Sequence, residues 1–307
     1  MSKFDTRFIN FLAILLVLGL MSGLSACGES PHQKFNSGSP EQAIIGGENV
    51  TEDSQFSSKV IYLALGVQKK TTPFGTNISQ TGICTAAAIA PRILITAAHC
   101  VQNAKVSEIY AVTSTNPWNH SLILEEWITV EKIVIHKDFT TEPSQLNNDL
   151  ALIKLSKDLA PEHISKIASN SQITAASLDL ISVGYGQTNA LRNPDVTGSS
   201  QMDTKPTLLN FVVKKVDPYN VAAKIFSVDQ SDMKGICMGD SGGPGYIFDS
   251  IKKDYFILGV ASFVSIFESD RAVRDPQGLY TNCIGRGNYT NLLPFHDWIA
   301  LTLNELK

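Results

Sequence analysis

The chain has 307 residues, of which 43% are hydrophobic and 18% are charged, and its formal net charge is −4. This length allows one large domain or two medium domains with well-buried cores. The slightly acidic balance and the lack of a basic stripe argue against nucleic acid as a partner. Beyond the N-terminus, no run of about 18 apolar residues predicts a membrane span.

The first residues have the pattern of an export signal. Lys3 and Arg7 precede an apolar stretch at 11–20, and small residues lead into Leu24-Ser25-Ala26-Cys27. This tetrapeptide resembles the bacterial lipoprotein box, in which the cysteine receives a lipid and becomes the new N-terminus. We therefore expect residues 1–26 to be a lipoprotein signal peptide and Cys27 to be the lipidation site. A plain signal peptide or a membrane anchor ending near a cysteine is the alternative.

Residue 28 bears on the destination. By resemblance to the lipoprotein sorting rule, Gly28 in place of an aspartate favours the outer membrane over the inner one. Residues 27–43 are polar and show no apolar period, so they are expected to form a flexible lipidated tether or propeptide.

From residue 44 onward the pattern is β-rich. Short apolar or β-branched runs are separated by turn-rich segments, and they occupy 60–65, 89–95, 130–135 and 150–155, then 178–183, 207–216, 245–248 and 256–264. Many short strands in two series suggest an all-β chain with two barrels. Residues 292–306 have apolar side chains at helical spacing and predict a closing amphipathic helix.

A glycine-rich loop stands out within the second series. In Gly239-Asp240-Ser241-Gly242-Gly243-Pro244 one serine lies among glycines, which give the backbone unusual freedom. Such a loop can expose one hydroxyl and aim backbone N–H groups at a common point, as a nucleophile beside an oxyanion hole requires. A simple surface turn is the alternative for this motif alone.

Two further motifs decide between these interpretations. Thr96-Ala97-Ala98-His99-Cys100 follows an apolar run, and Asn148-Asp149 precedes another. With His99, Asp149 and Ser241 in this chain order, the sequence resembles the trypsin/chymotrypsin-like serine proteases, whose triads follow the same order. The resemblance extends from Ile44 to the C-terminus. It implies a protease domain at 44–307 built from two six-stranded antiparallel β-barrels and a C-terminal α-helix.

The resemblance also implies the chemistry. His99 would be the general base, Asp149 would orient its ring, and Ser241 would be the nucleophile. The backbone N–H groups of Gly239 and Ser241 would form the oxyanion hole. The expected substrates are proteins or peptides, with no cofactor and no catalytic metal, and the chain is expected to act as a monomer.

Ile44-Ile45-Gly46-Gly47 resembles the activation site of the family. Cleavage after Ala43 would free the amino group of Ile44, which would turn inward and pair with Asp240. The alternative is that Ile44 and Ile45 simply begin a buried strand. Because the tether has no second cysteine, cleavage would also separate the lipid on Cys27 from the protease. The expected product is a soluble periplasmic or extracellular enzyme released from an outer-membrane precursor.

Five cysteines leave an odd one in an exported chain, and lipidation of Cys27 would account for it. Cys84 and Cys100 match the family's bridge beside the catalytic histidine. Cys237 also occupies a family position, and its pairing with Cys283 follows by elimination. The usual partner precedes a Gly-x-Tyr-Thr segment, whereas Cys283 follows Gly278-Leu279-Tyr280-Thr281.

The same resemblance gives a substrate pocket. The residue six positions before the serine lies at the pocket base, and here it is Gly235, which has no charge to neutralise a basic side chain. Ser262, Phe263 and Val264 would form one wall, and Gly278 would lie opposite. Because the branched Val264 would narrow the entrance, we expect a preference for small or medium apolar residues before the scissile bond.

One alternative function of a different class stays open. A catalytically silent homologue could use the same scaffold as a binding module, because fold alone does not establish activity. Two departures from the family pattern concern packing rather than the triad: Thr85 follows Cys84 where a glycine is usual, and Tyr185 stands where a tryptophan is usual.

Overall fold

The computed structural model describes residues 44–72, 75–117, 127–142, 145–175, 177–187, 208–216, 218–265 and 283–307. The predicted signal peptide, Cys27 and the tether lie outside the described residues, as does Gly278.

Eighteen strands and two α-helices are described. The strands are β1 (Glu48–Asn49), β2 (Val60–Leu65), β3 (Gln68–Thr72), β4 (Gly75–Ser79), β5 (Gly82–Ala90), β6 (Ile93–Thr96), β7 (Tyr110–Val112), β8 (Ile128–Ile135), β9 (Thr140–Glu142), β10 (Gln145–Asn147), β11 (Ala151–Leu155), β12 (Lys166–Ile167), β13 (Leu178–Gly184), β14 (Asn210–Val216), β15 (Ile225–Asp229), β16 (Pro244–Asp249), β17 (Asp254–Ser265) and β18 (Arg286–Asn291). The helices are α1 (Ala98–Val101) and α2 (His296–Leu306).

Six antiparallel strands of the first half close into a barrel in the order β11-β6-β5-β2-β7-β8. Nearly every side chain of β2 is buried, and β5 contributes the small buried residues Ala86, Ala87 and Ala88. Small side chains on one strand leave room for branched ones on its neighbours, which is how the interior of a narrow barrel is filled. Two hairpins, β3–β4 and β9–β10, stand apart from the barrel.

The second half forms one sheet in the order β1-β14-β13-β16-β17-β18-β15, with β12 paired in parallel to β17. Strands β14-β13-β16-β17-β18-β15 are the six antiparallel strands that were predicted for the second half, and they form a half-barrel in which β15 also approaches β14. β1 pairs with Asn210 and Phe211 at the start of β14.

Most predicted runs are strands in the structure, with some changed boundaries. The run at 89–95 is divided between β5 and β6, because Pro91 has no N–H to continue the ladder and the chain turns there. The closing helix begins only at His296, after the 3-10 turn Leu293–Phe295. Strands β15 and β18 were not predicted, because serine, asparagine and glycine interrupt their apolar pattern.

Candidate active site

His99 and Asp149 come from neighbouring parts of the first barrel. His99 lies in α1, directly after β6, and Asp149 lies just before β11, the strand that pairs with β6. Their ring and carboxylate meet, with His99 Nδ1 2.7 Å from Asp149 Oδ2. The backbone N–H of His99 donates to Asp149 Oδ1 over 2.9 Å. Two bonds from one residue fix the orientation of the carboxylate against the ring.

The second half of the molecule contributes a further donor to Asp149. Ser262, on β17, donates its hydroxyl to Asp149 Oδ2. It can do so because the register of β17 against β18 shifts between Ala261 and Phe263, and such a bulge re-aims a side chain. The Asp149 side chain is fully buried, whereas 24% of the His99 side chain is exposed. The imidazole is therefore accessible and its carboxylate partner is shielded from water.

Ser241 lies in a loop before β16 that is fixed from both sides. Thr85 of β5 donates its backbone N–H to Ser241 O over 2.8 Å. Gly242 donates to Ala261 O on β17, also over 2.8 Å. Gly242 has a φ of 82°, and a β-carbon there would lie 2.0 Å from Thr96 Oγ1. Only glycine fits this position, because the loop passes too close to the first barrel for a side chain.

The disulfide beside the ring shows how near the serine lies to His99. Cys100 Sγ is 3.9 Å from His99 Nε2 and 3.6 Å from Ser241 O. Among the hydrogen bonds of the described residues there is none between His99 Nε2 and Ser241 Oγ. Such bonds often tighten only when substrate is bound. The structure thus joins His99 and Asp149 directly, and it places the Ser241 backbone beside the disulfide that contacts the His99 ring.

Gly239, the predicted oxyanion-hole residue, has a φ of 97°. Its carbonyl accepts a hydrogen bond from the Thr85 side chain over 2.9 Å, and the same Thr85 hydroxyl lies 3.2 Å from the N–H of Tyr185. The sequence showed Thr85 only as a departure from the family pattern. In the structure its hydroxyl links the first barrel to the loop that carries Gly239.

Asp240 is buried directly before Ser241. Its carboxylate accepts hydrogen bonds from the N–H groups of Cys237 and Gly186, each over 2.8 Å. A β-carbon on Gly184 or Gly186 would lie 2.3 Å from this carboxylate, so the space around it is closed. Burial raises the pKa of Asp240 to about 7, and the two backbone donors lower it by less.

Ile44, the predicted partner of Asp240 after cleavage, is fully buried. Its neighbour Ile45 exchanges backbone hydrogen bonds of 3.1 and 3.0 Å with Gly235. Ile45 also packs in one apolar cluster with the Cys237–Cys283 bridge. The start of the described chain therefore lies against the segment that leads to Asp240.

Both expected disulfides are present. Cys84–Cys100 joins β5 to α1, and Cys237–Cys283 joins the serine loop to the segment before β18. The structure also resolves the difficulty with Cys283. A second Gly-x-Tyr-Thr segment, Gly287-Asn288-Tyr289-Thr290, lies on β18 and follows this cysteine.

The Cys84, His99 and Cys100 side chains gather within 4.8 Å, a spacing that could suit a metal ion. Both sulfur atoms are bonded to each other in the disulfide, so neither is available as a thiolate ligand. This cluster therefore has the wrong chemistry for a metal site.

The predicted pocket residues lie partly together. Phe263 and Val264 lie on β17 after the bulge, and Val264 pairs with Gly287 of β18. Gly235 lies in the loop that leads to the serine. The predicted opposite wall, Gly278, lies outside the described residues, and Gly287 is the described glycine that pairs with Val264. Gly287 begins a second Gly-x-Tyr-Thr segment, so the sequence contained a signal for this position too.

The comparison with known families decides the assignment. The sequence model of the family described as Trypsin matches residues 66–286, well over half of the chain. The chain belongs to the trypsin family. The resemblance inferred from the three motifs is thereby confirmed at the level of the family.

Relatives of this trypsin-family chain are distant. CLIP domain-containing serine protease B4 of Anopheles gambiae is 27% identical, over 70% of this chain and 61% of its own length. Transmembrane protease serine 11G of Mus musculus is 25% identical, over 75% of this chain and 52% of its own. Chymotrypsin-like elastase family member 1 of Homo sapiens is 24% identical, over 72% and 81%. The chain thus spans only about half to two thirds of the length of the first two relatives.

A solved structure titled HL collagenase superimposes with a TM-score of 0.59 at 21% identity, covering 85% of this chain and 99% of the other. This match shows that the trypsin-family chain has the chymotrypsin-like fold. In the part of the chain that the structure describes, no helix is long and apolar enough to cross a membrane.

Proposed function

We propose that the protein is a serine endopeptidase in which Asp149, His99 and Ser241 act as one catalytic unit. The observation that carries this proposal is the buried Asp149 carboxylate, which accepts from His99 Nδ1 and from Ser262. A carboxylate on Nδ1 leaves Nε2 as the basic nitrogen, and it stabilises the imidazolium that forms when Nε2 takes a proton. Family membership and the serine-protease names of the relatives support the same activity.

The reaction would proceed in two stages. Ser241 Oγ attacks the carbonyl carbon of the scissile peptide while His99 Nε2 takes the hydroxyl proton. The carbonyl oxygen becomes an oxyanion, which the N–H groups of Gly239 and Ser241 stabilise. His99 then gives the proton to the leaving nitrogen as the C–N bond breaks. A water molecule, deprotonated by His99, hydrolyses the acyl ester and restores the Ser241 hydroxyl.

A catalytically silent homologue is the competing proposal, and nothing in the described geometry favours it. A binding module would have no need to bury a carboxylate behind an accessible imidazole, because burying a charge is costly unless it is paired. The pairing of the buried Asp149 carboxylate with the accessible His99 ring therefore supports the catalytic proposal over the silent one.

We further propose activation by cleavage between Ala43 and Ile44. Ile44 has a φ of 59°, which a β-branched residue adopts only under strain. This torsion is defined by the peptide bond to Ala43, so hydrolysis of that bond removes the strain. The freed ammonium would also offset the cost of the buried Asp240 carboxylate.

The location is part of the same proposal. With residues 1–26 as a lipoprotein signal peptide and a lipid on Cys27, the precursor would be held at the outer membrane. Cleavage after Ala43 would release the domain at 44–307, because neither disulfide involves the tether. The pocket formed by Gly235, Phe263 and Val264 would favour small or medium apolar residues, and Ala43 itself fits this preference.

The test combines active-site labelling with cleavage profiling. Purified protein is treated with a peptide phosphonate that has alanine next to the phosphorus, and the adduct is measured by intact mass. The Ser241→Ala variant is the matched control. We expect stoichiometric labelling of the wild type only, cleavage of a peptide library after small apolar residues, and Ile44 as the new N-terminus. A folded wild type that is neither labelled nor active on any peptide would overturn the proposal.

A further inference from the structure

The base of the candidate pocket contains a side chain that sequence reasoning did not single out. A β-carbon on Gly235 would lie 2.2 Å from Gln230 Cδ, and a β-carbon on Gly287 would lie 2.0 Å from Gln230 Oε1. These glycines come from different elements, the loop before Ser241 and strand β18. The side of each glycine on which a side chain would stand therefore faces the Gln230 carboxamide, which fills the space between them.

Hydrogen bonds fix the carboxamide in this place. Gln230 Nε2 donates to Ile236 O over 3.0 Å and to Cys283 O over 2.8 Å, while Oε1 accepts from Ile236 N over 3.0 Å. Both amide hydrogens are used, and the backbone partners determine which atom is oxygen and which is nitrogen. Gln230 is only 1% exposed.

The main chain of Gln230 is fixed as well. Its N–H donates to Gly285 O over 2.8 Å, and its carbonyl accepts from Met233 N over 3.1 Å. Because the partners lie on the serine loop and on the segment between Cys283 and β18, the residue ties the two sides of the pocket together. A side chain that is bound at both ends of its amide cannot swing away when substrate enters.

We propose that the Gln230 carboxamide is the floor of the primary substrate pocket and sets its depth. This inference rests on the proposed endopeptidase function and adds a specificity-determining residue to it. The floor is uncharged, so it offers no partner to a lysine or arginine side chain. It also ends the pocket above Gly235, so it admits short apolar side chains and excludes long ones.

The test compares substrates that differ only in the residue before the scissile bond. Peptides with alanine, valine, leucine and phenylalanine at that position are assayed with the wild type and with Gln230→Ala, each normalised to its phosphonate-labelled fraction. We expect the ratio of kcat/KM for phenylalanine over alanine to rise at least tenfold in Gln230→Ala, because one methylene in such a pocket already changes discrimination by roughly 10-fold or more. Gln230→Asn, which keeps the amide but is one methylene shorter, should fall between the two.

Gln172→Ala is the matched control. Gln172 is another buried glutamine with a bonded amide, but its partners Ser169 and Ser171 lie at a 3-10 turn and Asp249 lies at the far end of β16 from the serine loop. Its ratio should equal that of the wild type. If Gln230→Ala loses activity in equal proportion on all four peptides, Gln230 is only structural and the inference is wrong.

A measurement on the wild type covers the case in which no Gln230 variant folds. Peptide phosphonates with unbranched side chains of one to five carbons are compared by their rate of inactivation. A floor at Gln230 requires a sharp fall beyond a short length, and a steady rise to five carbons would overturn it. Complete absence of labelling would instead contradict the proposed function, so the two failures are distinguishable.

Discussion

The two halves of the molecule stabilise their interiors by different means. The barrel that carries His99 is filled by aliphatic and alanine side chains, such as Leu94, Ile95 and Leu152, which are fully buried. The sheet of the second half also has an apolar core, but in addition it buries hydroxyl and amide groups in pairs. Ser165 meets Tyr246 and Tyr219 meets Asn291, each over 2.9 Å.

The two halves should therefore differ in the substitutions that they tolerate. Apolar packing depends on volume and tolerates exchange among similar side chains. A buried polar pair depends on the identity of both partners, because a donor left without an acceptor costs about 1–3 kcal/mol. We therefore expect the barrel to act as a fixed support for the base. The sheet, with its amide network around Gln230 and Asn288, is where single substitutions alter the pocket and the serine loop.

Asp149 is the sharpest exception to the apolar character of the barrel, and changing it should have the largest effect. In Asp149→Asn only one oxygen is left, so the side chain cannot accept both from the His99 backbone N–H at Oδ1 and from His99 Nδ1 and Ser262 at Oδ2, and the ring loses its tautomer control. We expect kcat to fall about 10⁴-fold, the loss known for this change in a trypsin-family triad. Stopped assays on a peptide ester and circular dichroism measure activity and folding. A loss below tenfold in a folded variant would show that Asp149 does not orient His99.

Asp240 is a buried carboxyl group of the second half, and its titration should change the stability of the protein. Its pKa rises from 3.8 to about 7 on folding, so between these pH values the unfolded chain releases a proton that the folded chain keeps. In the uncleaved protein, the contribution of protonated Asp240 to the free energy of unfolding is therefore fully present below pH 4, and it is lost as the pH rises towards 7. The loss amounts to roughly 4 kcal/mol, at about 1.4 kcal/mol per pKa unit.

The measurement uses the full chain with Ser241→Ala, which prevents self-cleavage, and urea unfolding at pH 4, 5.5 and 7.5. The same chain with Asp240→Asn is the control, because the amide does not titrate. The difference in free energy of unfolding between the two should change with pH in the stated direction. A constant difference would contradict the shifted pKa of Asp240.

Thr85 connects the halves, and its hydroxyl should have a moderate effect on catalysis. Thr85→Val keeps the shape but removes the bond to Gly239 O and the acceptor for Tyr185 N. A lost neutral hydrogen bond is worth about 1 kcal/mol, which corresponds to a fall in kcat of about fivefold. Thr85→Ser should retain wild-type kcat. Full activity in Thr85→Val together with a loss in Thr85→Ser would mean that the methyl group matters and the hydroxyl does not.

Tyr185 should have the smallest effect on activity. Its hydroxyl lies 3.2 Å from Val60 O and 2.9 Å from Ser114 O, and its ring meets Tyr62 edge to face at 5.4 Å. We expect Tyr185→Phe to lower the free energy of unfolding by about 1 kcal/mol and to leave kcat/KM within twofold of wild type. Thermal and urea unfolding provide the readout. An activity loss as large as that of Thr85→Val would link this tyrosine to the serine loop.

Sequence patterns predicted the strands whose side chains are mainly apolar. β2 matches its predicted run, and β11 and β13 match theirs to within one residue, because β-branched and aliphatic residues between turn signals have few other stable arrangements. The residues of the candidate triad were also accessible from sequence, since each stands in a short motif. Family membership then confirmed the class of protein.

Strands β15 and β18 and the proposed pocket floor were not accessible in this way. Polar residues and glycine interrupt the apolar pattern of both strands. Gln230 stands in an ordinary polar sequence, and only the folded chain shows that Gly235 and Gly287 face it. The wall at Gly278 stays a prediction, because the Gly-x-Tyr-Thr motif occurs both at 278–281 and at 287–290 and pattern alone does not decide between the copies.

Gly235 joins two processes that are usually treated separately. Its backbone exchanges hydrogen bonds with Ile45, one residue after the proposed new N-terminus, and a β-carbon on it would meet Gln230. Under the two proposals, maturation and discrimination among substrates would share this one residue. Any residual hydrolysis by the uncut precursor should then differ from that of the mature enzyme in selectivity as well as in rate, and identical cleavage profiles for the two forms would contradict this coupling.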